Sequence, residues 1–240
     1  MSLAAQIEKK IAQFKAGESF TYDDLTVTKD QYLNTAKILE RLQRKGLIKK
    51  LSKGIFYKPE QTVFGEIKPR EAEVIKGYLF NNGKRMAYIT GNYLYNQMGL
   101  TRQIPRNWKI ASFNRRIYVN RQNLKAKPVK AYAEVTEENY QLLGFLDALK
   151  DWKTIPDLNT EKGIEALTGF IQKLTKPEIT QLTQLALKYP PRVRAFLGAL
   201  LEKTDKGETE IIKESLNPIT KFQLGLSPKE LPGSSKWNIE

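Results

Sequence analysis

The first helical signal in the chain is a hydrophobic stripe near its start. Residues 3–14 place apolar side chains at a helical spacing, at Leu3, Ile7, Ile11 and Phe14. This spacing predicts an amphipathic helix. Thr21, followed three residues later by Asp24, resembles a capping box and predicts a short second helix over the sequence YDDL.

A third helix has the clearest boundaries. Thr28 is a good N-cap with Gln31 three residues later, and Gly46 can adopt the left-handed conformation that ends a helix. We therefore expect this helix to run from Lys29 to about Lys45.

Two stripes of different chemistry run along the third helix. The first should pack inward and consists of Thr35, Ile38, Leu39 and Leu42. The second lies roughly 130° around the helix by the 3.6-residue period. It is polar and basic, and consists of Asn34, Lys37, Arg41 and Arg44.

After this helix, the segments LIKKL and GIFYK predict two short strands joined through Ser52, Lys53 and Gly54. Three helices followed by a basic hairpin is the order of a winged helix-turn-helix, which we expect over residues 1–60. The third helix would enter the major groove of double-stranded DNA, and the hairpin lysines would contact phosphates. A winged helix that only binds proteins remains an alternative. The predicted DNA-binding residues are Thr28, Lys29, Gln31, Asn34, Lys37, Arg41, Arg44, Lys49, Lys50 and Lys53.

The rest of the chain, residues 61–240, predicts a second unit. Residues 61–135 alternate between helical and strand patterns, residues 136–216 are helical throughout, and residues 217–240 are rich in Pro, Gly and Ser. The last segment should be extended and dock through Phe222, Leu224 and Trp237. The predicted fold class is α+β.

Composition narrows the possible chemistry. The chain of 240 residues contains neither cysteine nor histidine, which excludes disulfides, thiolate nucleophiles, imidazole bases and the usual transition-metal ligands. The start, MSLAAQIEKKIAQF, lacks the apolar core of a secretory leader, and no apolar run is long enough to span a membrane. We expect a cytoplasmic protein that needs no cofactor.

The net charge of +14 is unevenly distributed. Residues 1–130 hold 26 Lys and Arg against 10 Asp and Glu, whereas residues 131–240 hold 14 against 16. Between Glu73 and Glu134 there are twelve basic residues and no acidic one. A single-sign stretch of this length favours a polyanionic partner such as nucleic acid, although an acidic protein or general solubility could also explain it.

Enzymatic chemistry is poorly supported. The segment IPDLNTEKG, residues 155–163, resembles a nuclease pattern, but Glu161 and Lys162 are adjacent and follow Thr160, a predicted N-cap. No glycine pattern for cradling phosphates occurs. We therefore predict that the protein is not an enzyme.

Three stretches resemble bacterial proteins related to the AbiEi-type abortive-infection antitoxins. They are ILERLQRKGLIKKLSKGIFYKP, TGNYLYNQMGLTRQIP, and YPPRVRAFLGALLE with the terminal LPGSSKWNIE. The resemblance implies a DNA-binding winged helix and a second domain used in toxin neutralisation or operon repression. Such relatives are usually encoded beside a nucleotidyltransferase-like toxin that they do not bind stably.

The second of these stretches leads into a basic loop, GLTRQIPRNWK. Its donors could hold a phosphate or a base edge, or its Thr and Gln could instead satisfy buried backbone groups in a structural turn. Interleaved aromatic residues are expected mostly in the core, with stacking on single-stranded bases as the alternative. An interaction module that neutralises a toxin or binds RNA through residues 84–130 is thus the second functional hypothesis. The predicted second surface comprises Asn96, Thr101, Arg102, Gln103, Arg106, Lys109, Arg115 and Arg116.

Overall fold

The computed structural model describes residues 2–52, 54–62, 65–67, 69, 71–81, 83–121 and 124–240. It is of the predicted α+β class. Contacts divide the chain into two units, Met1–Arg85 and Met86–Glu240, and each is described by itself. Among the described residues, no helix is long and apolar enough to cross a membrane.

The first unit combines helices with a small antiparallel sheet. Its elements are α1 (Leu3–Gln13), β1 (Ser19–Thr21), α2 (Tyr32–Arg44), β2 (Lys49–Ser52), β3 (Ile55–Tyr57), β4 (Glu60–Thr62), β5 (Gly65–Ile67), α3 (Glu71–Leu79), β6 (Phe80–Asn81) and β7 (Lys84–Arg85). The predicted short second helix is a 3-10 turn over Asp23–Leu25. Strands β1, β3 and β2 form one sheet in that order, whereas β4–β5 and β6–β7 are separate hairpins.

The core of the first unit lies between α1, α2 and the three-stranded sheet. Phe20 of β1 stacks on Phe14 at 4.9 Å between ring centroids, and on Phe56 of β3 at 5.9 Å. Leu39 and Leu42 of α2 are buried in the same cluster. The inward stripe predicted for α2 is confirmed, because Thr35 is buried beside these leucines.

The first unit extends to Arg85, past the boundary predicted near residue 60. Helix α3 explains the difference, since it packs on β1. The Ser19 hydroxyl donates to the Glu73 carbonyl at 2.8 Å, and Gly77 lies so close to Ile55 that a Cβ would stand 2.4 Å from its Cδ1. The segment after the β2–β3 hairpin is thus part of the first unit.

The second unit is a four-stranded sheet followed by packed helices. Its elements are β8 (Ala87–Thr90), α4 (Asn92–Gln97), β9 (Asn107–Ser112), β10 (Val119–Arg121), β11 (Leu124–Lys130), α5 (Tyr140–Asp151), α6 (Thr160–Lys173), α7 (Lys176–Ala186), α8 (Pro191–Thr204) and α9 (Glu210–Glu214). The strand order is β10-β11-β9-β8, with β9 and β11 parallel and the other pairs antiparallel. One predicted cap moves by a residue: Asn159 caps α6 by accepting from the Lys162 N–H, and Thr160 is the first helical residue.

The C-terminal segment docks as predicted. Phe222, Leu224 and Trp237 are all buried in the core of the second unit. The Trp237 ring covers Gly198 of α8, where a Cβ would lie only 2.2 Å from the indole. The glycine in the middle of α8 therefore provides the space that the tryptophan fills.

Candidate nucleic-acid interface

Helix α2 presents a polar, basic surface opposite its buried stripe. Asn34, Lys37, Arg41 and Arg44 are all exposed, as their spacing predicted. Because the core residues lie on the other side of the helix, these side chains can meet a partner without disturbing the packing. This exposed row is called the α2 row below.

The start of the helical segment is occupied by a capping box. Thr28 and Gln31 each satisfy a backbone group of the other, and Gln31 Oε1 accepts from the Thr28 N–H at 3.4 Å. A 3-10 turn over Lys29–Gln31 then leads into α2. Of the predicted contact residues, Thr28 and Gln31 therefore hold the helix start in place, while the Lys29 side chain is exposed.

Carboxylates neutralise part of the basic surface. Arg41 pairs with Glu8 of α1 at 2.9 Å, and Arg44 pairs with Glu40 at 2.6 Å. Both pairs are exposed, so each contributes little to stability and can exchange its carboxylate for a phosphate. Lys37 has no ion pair within the described part of the chain, which makes it the most available cation of the row.

The β2–β3 hairpin adds two more cations. Lys49 and Lys50 are exposed, and Lys49 pairs with Glu66. Residues Ile55–Tyr57 of the opposite strand are buried and anchor the hairpin to the core. Lys53, predicted at the tip, lies outside the described residues. Gly54 beside it has a positive φ of 76°, as a tight turn requires.

In the second unit, the loop after α4 is a structural turn. The Asn96 side-chain amide donates to the Thr101 carbonyl at 3.0 Å, and the Thr101 hydroxyl accepts from the Gln103 N–H at 3.1 Å. Gly99 ends α4 with φ of 76°, and the Leu100 N–H donates back to the Tyr95 carbonyl at 2.8 Å. Asn96 and buried Thr101 are thus used internally.

The cations predicted for this second surface separate into different places. Arg102 lines a depression with Asp157 and Lys162, whereas Arg115 and Arg116 line another groove. The remaining predicted members are exposed: Gln103, Arg106 and Lys109. The structure therefore divides the predicted surface into at least two sites.

Sequence comparison identifies the family. The profile of a family of unknown function, DUF6088, matches residues 6–179. The chain belongs to DUF6088. The match covers the first unit and the second unit as far as α7, so both basic regions lie within the family's common sequence.

The fold of this DUF6088 protein has a distant structural neighbour. The crystal structure of the RV2827C protein from Mycobacterium tuberculosis is similar, with a TM-score of 0.53 and 10% sequence identity. The similarity covers 99% of this chain and 90% of that chain. At this identity the likeness concerns the fold alone. No curated protein matches the DUF6088 chain in sequence.

The DUF6088 chain also contains a buried polar network that its sequence did not reveal. Asp147 of α5 is 1% exposed, and its Oδ2 accepts from the Tyr88 hydroxyl at 2.9 Å and the Thr90 hydroxyl at 2.8 Å. Its Oδ1 accepts from Lys150 at 3.1 Å and from the Tyr189 hydroxyl at 3.3 Å. One carboxylate thus connects the sheet with α5 and with the segment preceding α8.

Burial and neighbouring charge act in opposite directions on the pKa of Lys150 and in the same direction on the pKa of the tyrosines. Burial by itself lowers the pKa of Lys150, but Asp147 and Asp151 outweigh burial and raise it. Burial, followed by the nearby carboxylates, raises the pKa of Tyr88 and Tyr189 above the ordinary tyrosine value. The lysine therefore stays charged and the phenols stay protonated, which is the arrangement that satisfies a buried carboxylate.

Throughout the described ranges of the chain, no group of three or more His, Cys, Asp or Glu side chains is placed to hold a metal ion. The network has no local sequence signal, because Tyr88, Asp147 and Tyr189 are far apart in the chain. Each looks like an ordinary polar position until the fold brings them together.

Proposed function

We propose that the DUF6088 protein binds double-stranded DNA through its first unit. The observation that carries this proposal is the α2 row, whose four polar and basic side chains are exposed opposite a buried stripe. Helix α1, strand β1, the 3-10 turn over Asp23–Leu25, helix α2 and the β2–β3 hairpin follow one another in the chain. This order supports a winged helix-turn-helix whose middle helix is shortened to a single turn. In that arrangement α2 is the recognition helix and the β2–β3 hairpin is the wing.

The proposed contacts divide into two kinds. Asn34, Lys37 and Arg41 would face base edges and phosphates in the major groove, since Asn pairs well with adenine and Arg or Lys with guanine. Lys49 and Lys50 on the wing would contact phosphates, which supply affinity but no sequence information. Release of Arg41 from Glu8 costs little because that ion pair is exposed.

The biological role that we propose is transcriptional control in the cytoplasm, with the protein as an antitoxin-like member of a toxin–antitoxin or phage-defence operon. Support comes from the resemblance of three stretches to AbiEi-type antitoxins, which extends from the wing to the C-terminal segment. The proposal assigns no catalytic residue and no cofactor. A toxin gene beside the gene for this protein would be consistent with it.

The decisive experiment is a fluorescence anisotropy titration of the full chain against its own upstream intergenic duplex. A scrambled duplex of equal length serves as control, and both are measured across a salt series. We expect tighter binding to the native duplex, with a log–log salt slope that corresponds to several phosphate contacts. Equal, weak and salt-sensitive binding to both duplexes would contradict the proposal.

A double substitution tests the α2 row directly. Lys37→Ala with Arg41→Ala should weaken binding to the native duplex and reduce the salt slope by up to about 2, about one for each lost phosphate contact. The melting temperature should hardly change, because both side chains are exposed. A matched control is Lys188→Ala with Lys203→Ala, two exposed cations of the second unit. Unchanged duplex affinity in the α2 variant would remove α2 as the recognition helix.

A further inference from the structure

The second unit contains a groove whose lining combines aromatic and cationic side chains. It has a volume of about 510 Å³, within the range of roughly 300–1,000 Å³ that small-molecule sites span. Its lining includes Phe113, Asn114, Arg115, Arg116, Tyr118 and Lys130. This set is called the β9–β11 groove.

The position of the groove follows from the sheet. Strands β9 and β11 are parallel, with Ser112 opposite Lys130 at their ends. The loop that follows β9 and the last residue of β11 therefore meet at the same edge, at the carboxyl end of this parallel pair. The Ser112 hydroxyl donates to the Arg115 carbonyl, and the Ala131 N–H donates to the Ser112 carbonyl at 3.0 Å. These bonds fix the loop against the strand ends.

The two aromatic rings of the groove are the exposed ones. Tyr118 is 67% exposed and Phe113 is 43% exposed, whereas Tyr88, Tyr95 and Trp108 of the same region are buried. Tyr118 directly precedes β10, and its neighbours Ile117 and Val119 are both buried while its own ring faces outward. The core needs neither ring, and both remain available for stacking.

Charge identifies the kind of ligand. The groove is lined by Arg115, Arg116 and Lys130 and by no carboxylate among the described residues. Other depressions of the second unit differ: one contains Asp157, and another contains Asp205 and Glu208. Cations beside exposed rings, without competing acids, match a ligand that carries both phosphates and flat bases.

We infer that the β9–β11 groove binds single-stranded nucleic acid. Unpaired bases stack on Tyr118 and Phe113, while Arg115, Arg116 and Lys130 hold the phosphodiester chain. Asn114 supplies an amide that can hydrogen-bond to a base edge. This site is separate from the α2 row and does not depend on the duplex binding proposed for the first unit.

The test uses the full chain and three fluorescein-labelled probes of about 12 nucleotides, a length suited to such grooves. They are oligo-dT, oligo-rU and an abasic deoxyribose-phosphate chain of equal length. We expect at least one base-containing probe to bind about tenfold more tightly than the abasic probe, because each stacked base contributes to affinity. Tighter binding to oligo-rU identifies RNA as the ligand of the groove, and tighter binding to oligo-dT identifies single-stranded DNA. Equal affinity for all three probes would overturn the inference.

Substitution of the rings then locates the site. Tyr118→Ala and Phe113→Ala should each reduce affinity for the preferred base-containing probe several-fold, to about one-tenth for the pair, and leave abasic binding unchanged. Tyr118→Phe retains the ring and should keep near-native affinity. Ile219→Ala is the matched control, since Ile219 is also exposed in the second unit but outside the groove. Full affinity in the Tyr118→Ala, Phe113→Ala double variant would exclude the groove.

Substitution of the cations gives an independent readout. Arg115→Ala with Arg116→Ala should weaken base-containing and abasic probes alike and lower the salt slope by about 1.4, since each phosphate contact on a single strand contributes about 0.7. A 5-bromouracil probe should photo-crosslink to Tyr118 or Phe113, as mapped by mass spectrometry of the digested protein. Crosslinks confined to residues outside the groove would contradict the assignment.

The two proposals can fail separately. The Lys37→Ala, Arg41→Ala variant should lose duplex affinity and retain single-strand affinity. The Tyr118→Ala, Phe113→Ala variant should show the reverse pattern. If both variants lost single-strand binding equally, the single strand would be held by the α2 row as well, and the inference that the groove is a separate site would be wrong.

Discussion

The two units use charged side chains in opposite ways. In the first unit, Arg41 and Glu8 meet on the surface, around a core that is apolar apart from small groups such as Thr35. In the second unit, Asp147 is buried beneath tyrosine hydroxyls and Lys150. An exposed ion pair can be exchanged for a ligand, whereas a buried one must stay in place. The first unit thus keeps its charges available for binding, and the second uses part of its charge to hold its fold.

The largest effect should come from breaking the buried network. Asp147→Ala leaves Lys150 half-buried without its main partner and the Tyr88 and Thr90 hydroxyls without their acceptor, which should destabilise the second unit by about 3–5 kcal/mol. All three tryptophans lie in the second unit, so urea unfolding followed by tryptophan fluorescence reports on that unit. Glu8→Gln removes the surface ion pair of the first unit and should lower the free energy of unfolding by no more than about 1 kcal/mol. Urea unfolding followed by far-UV ellipticity measures this change. Equal losses of stability in the two variants would contradict the distinction between an exposed ion pair in the first unit and a structural buried network in the second.

A second substitution compares two leucines of the same helix. Leu39 is 1% exposed and Leu33 is 80% exposed, and both lie on α2. Leu39→Ala should destabilise the first unit by about 2–5 kcal/mol, because it leaves a cavity in the core. Leu33→Ala should change stability by less than about 0.5 kcal/mol. Far-UV ellipticity during urea unfolding measures both, and similar values would show that α2 packs differently.

A third test uses a pair of helical glycines in the second unit. Gly198→Ala places a methyl group against the Trp237 ring and should cost about 1–3 kcal/mol through overpacking. Gly169→Ala on α6 meets nothing within 4 Å and should stabilise the helix by up to about 1 kcal/mol. Tryptophan fluorescence gives both stabilities. A red-shifted emission only in the Gly198 variant would show that Trp237 has left its site.

The smallest effect concerns pH and belongs to the first unit. The Tyr57 hydroxyl donates to Glu66 at 2.8 Å, and burial followed by Glu66 raises the pKa of Tyr57 to about 12. The unfolded value is about 10. The folded state therefore holds the Tyr57 proton more strongly than the unfolded state does. The stabilisation that the protonated Tyr57 hydroxyl provides is complete below about pH 10 and disappears as the pH rises toward 12.

The matched variant for this prediction is Tyr57→Phe. Between about pH 10 and 12 the wild type should lose stability relative to the variant, as measured by far-UV ellipticity in urea at each pH. Parallel pH curves for the two proteins would contradict the raised pKa.

Local patterns in the sequence predicted local structure well. The Thr28–Gln31 capping box, the buried stripe of α2 and the docking of Trp237 are all confirmed. The capping box and the stripe depend on residues within a few positions of one another. The docking was predicted from the apolar side chains in the last segment of the chain. The fold class also followed from the order of such patterns.

Features that depend on distant pairing were not predicted. Strands β4 and β5 are too short to show an alternating pattern, and the tie between Ser19 and Glu73 that extends the first unit joins residues far apart in sequence. The separation of Arg102 from Arg115 likewise follows from the path of the sheet. A run of basic residues shows that charge is present but does not show which cations share a surface.

The Trp237 contact with α8 has a practical consequence for anyone who shortens this chain. Residues 217–240 have the composition of a dispensable end, and trimming at residue 216 would be a natural choice on that basis. Such a cut would strip six apolar side chains from the interior: Phe222, Leu224, Leu226, Leu231, Trp237 and Ile239. The trimmed protein would expose the surface of α8 around Gly198 to water and would be prone to aggregate.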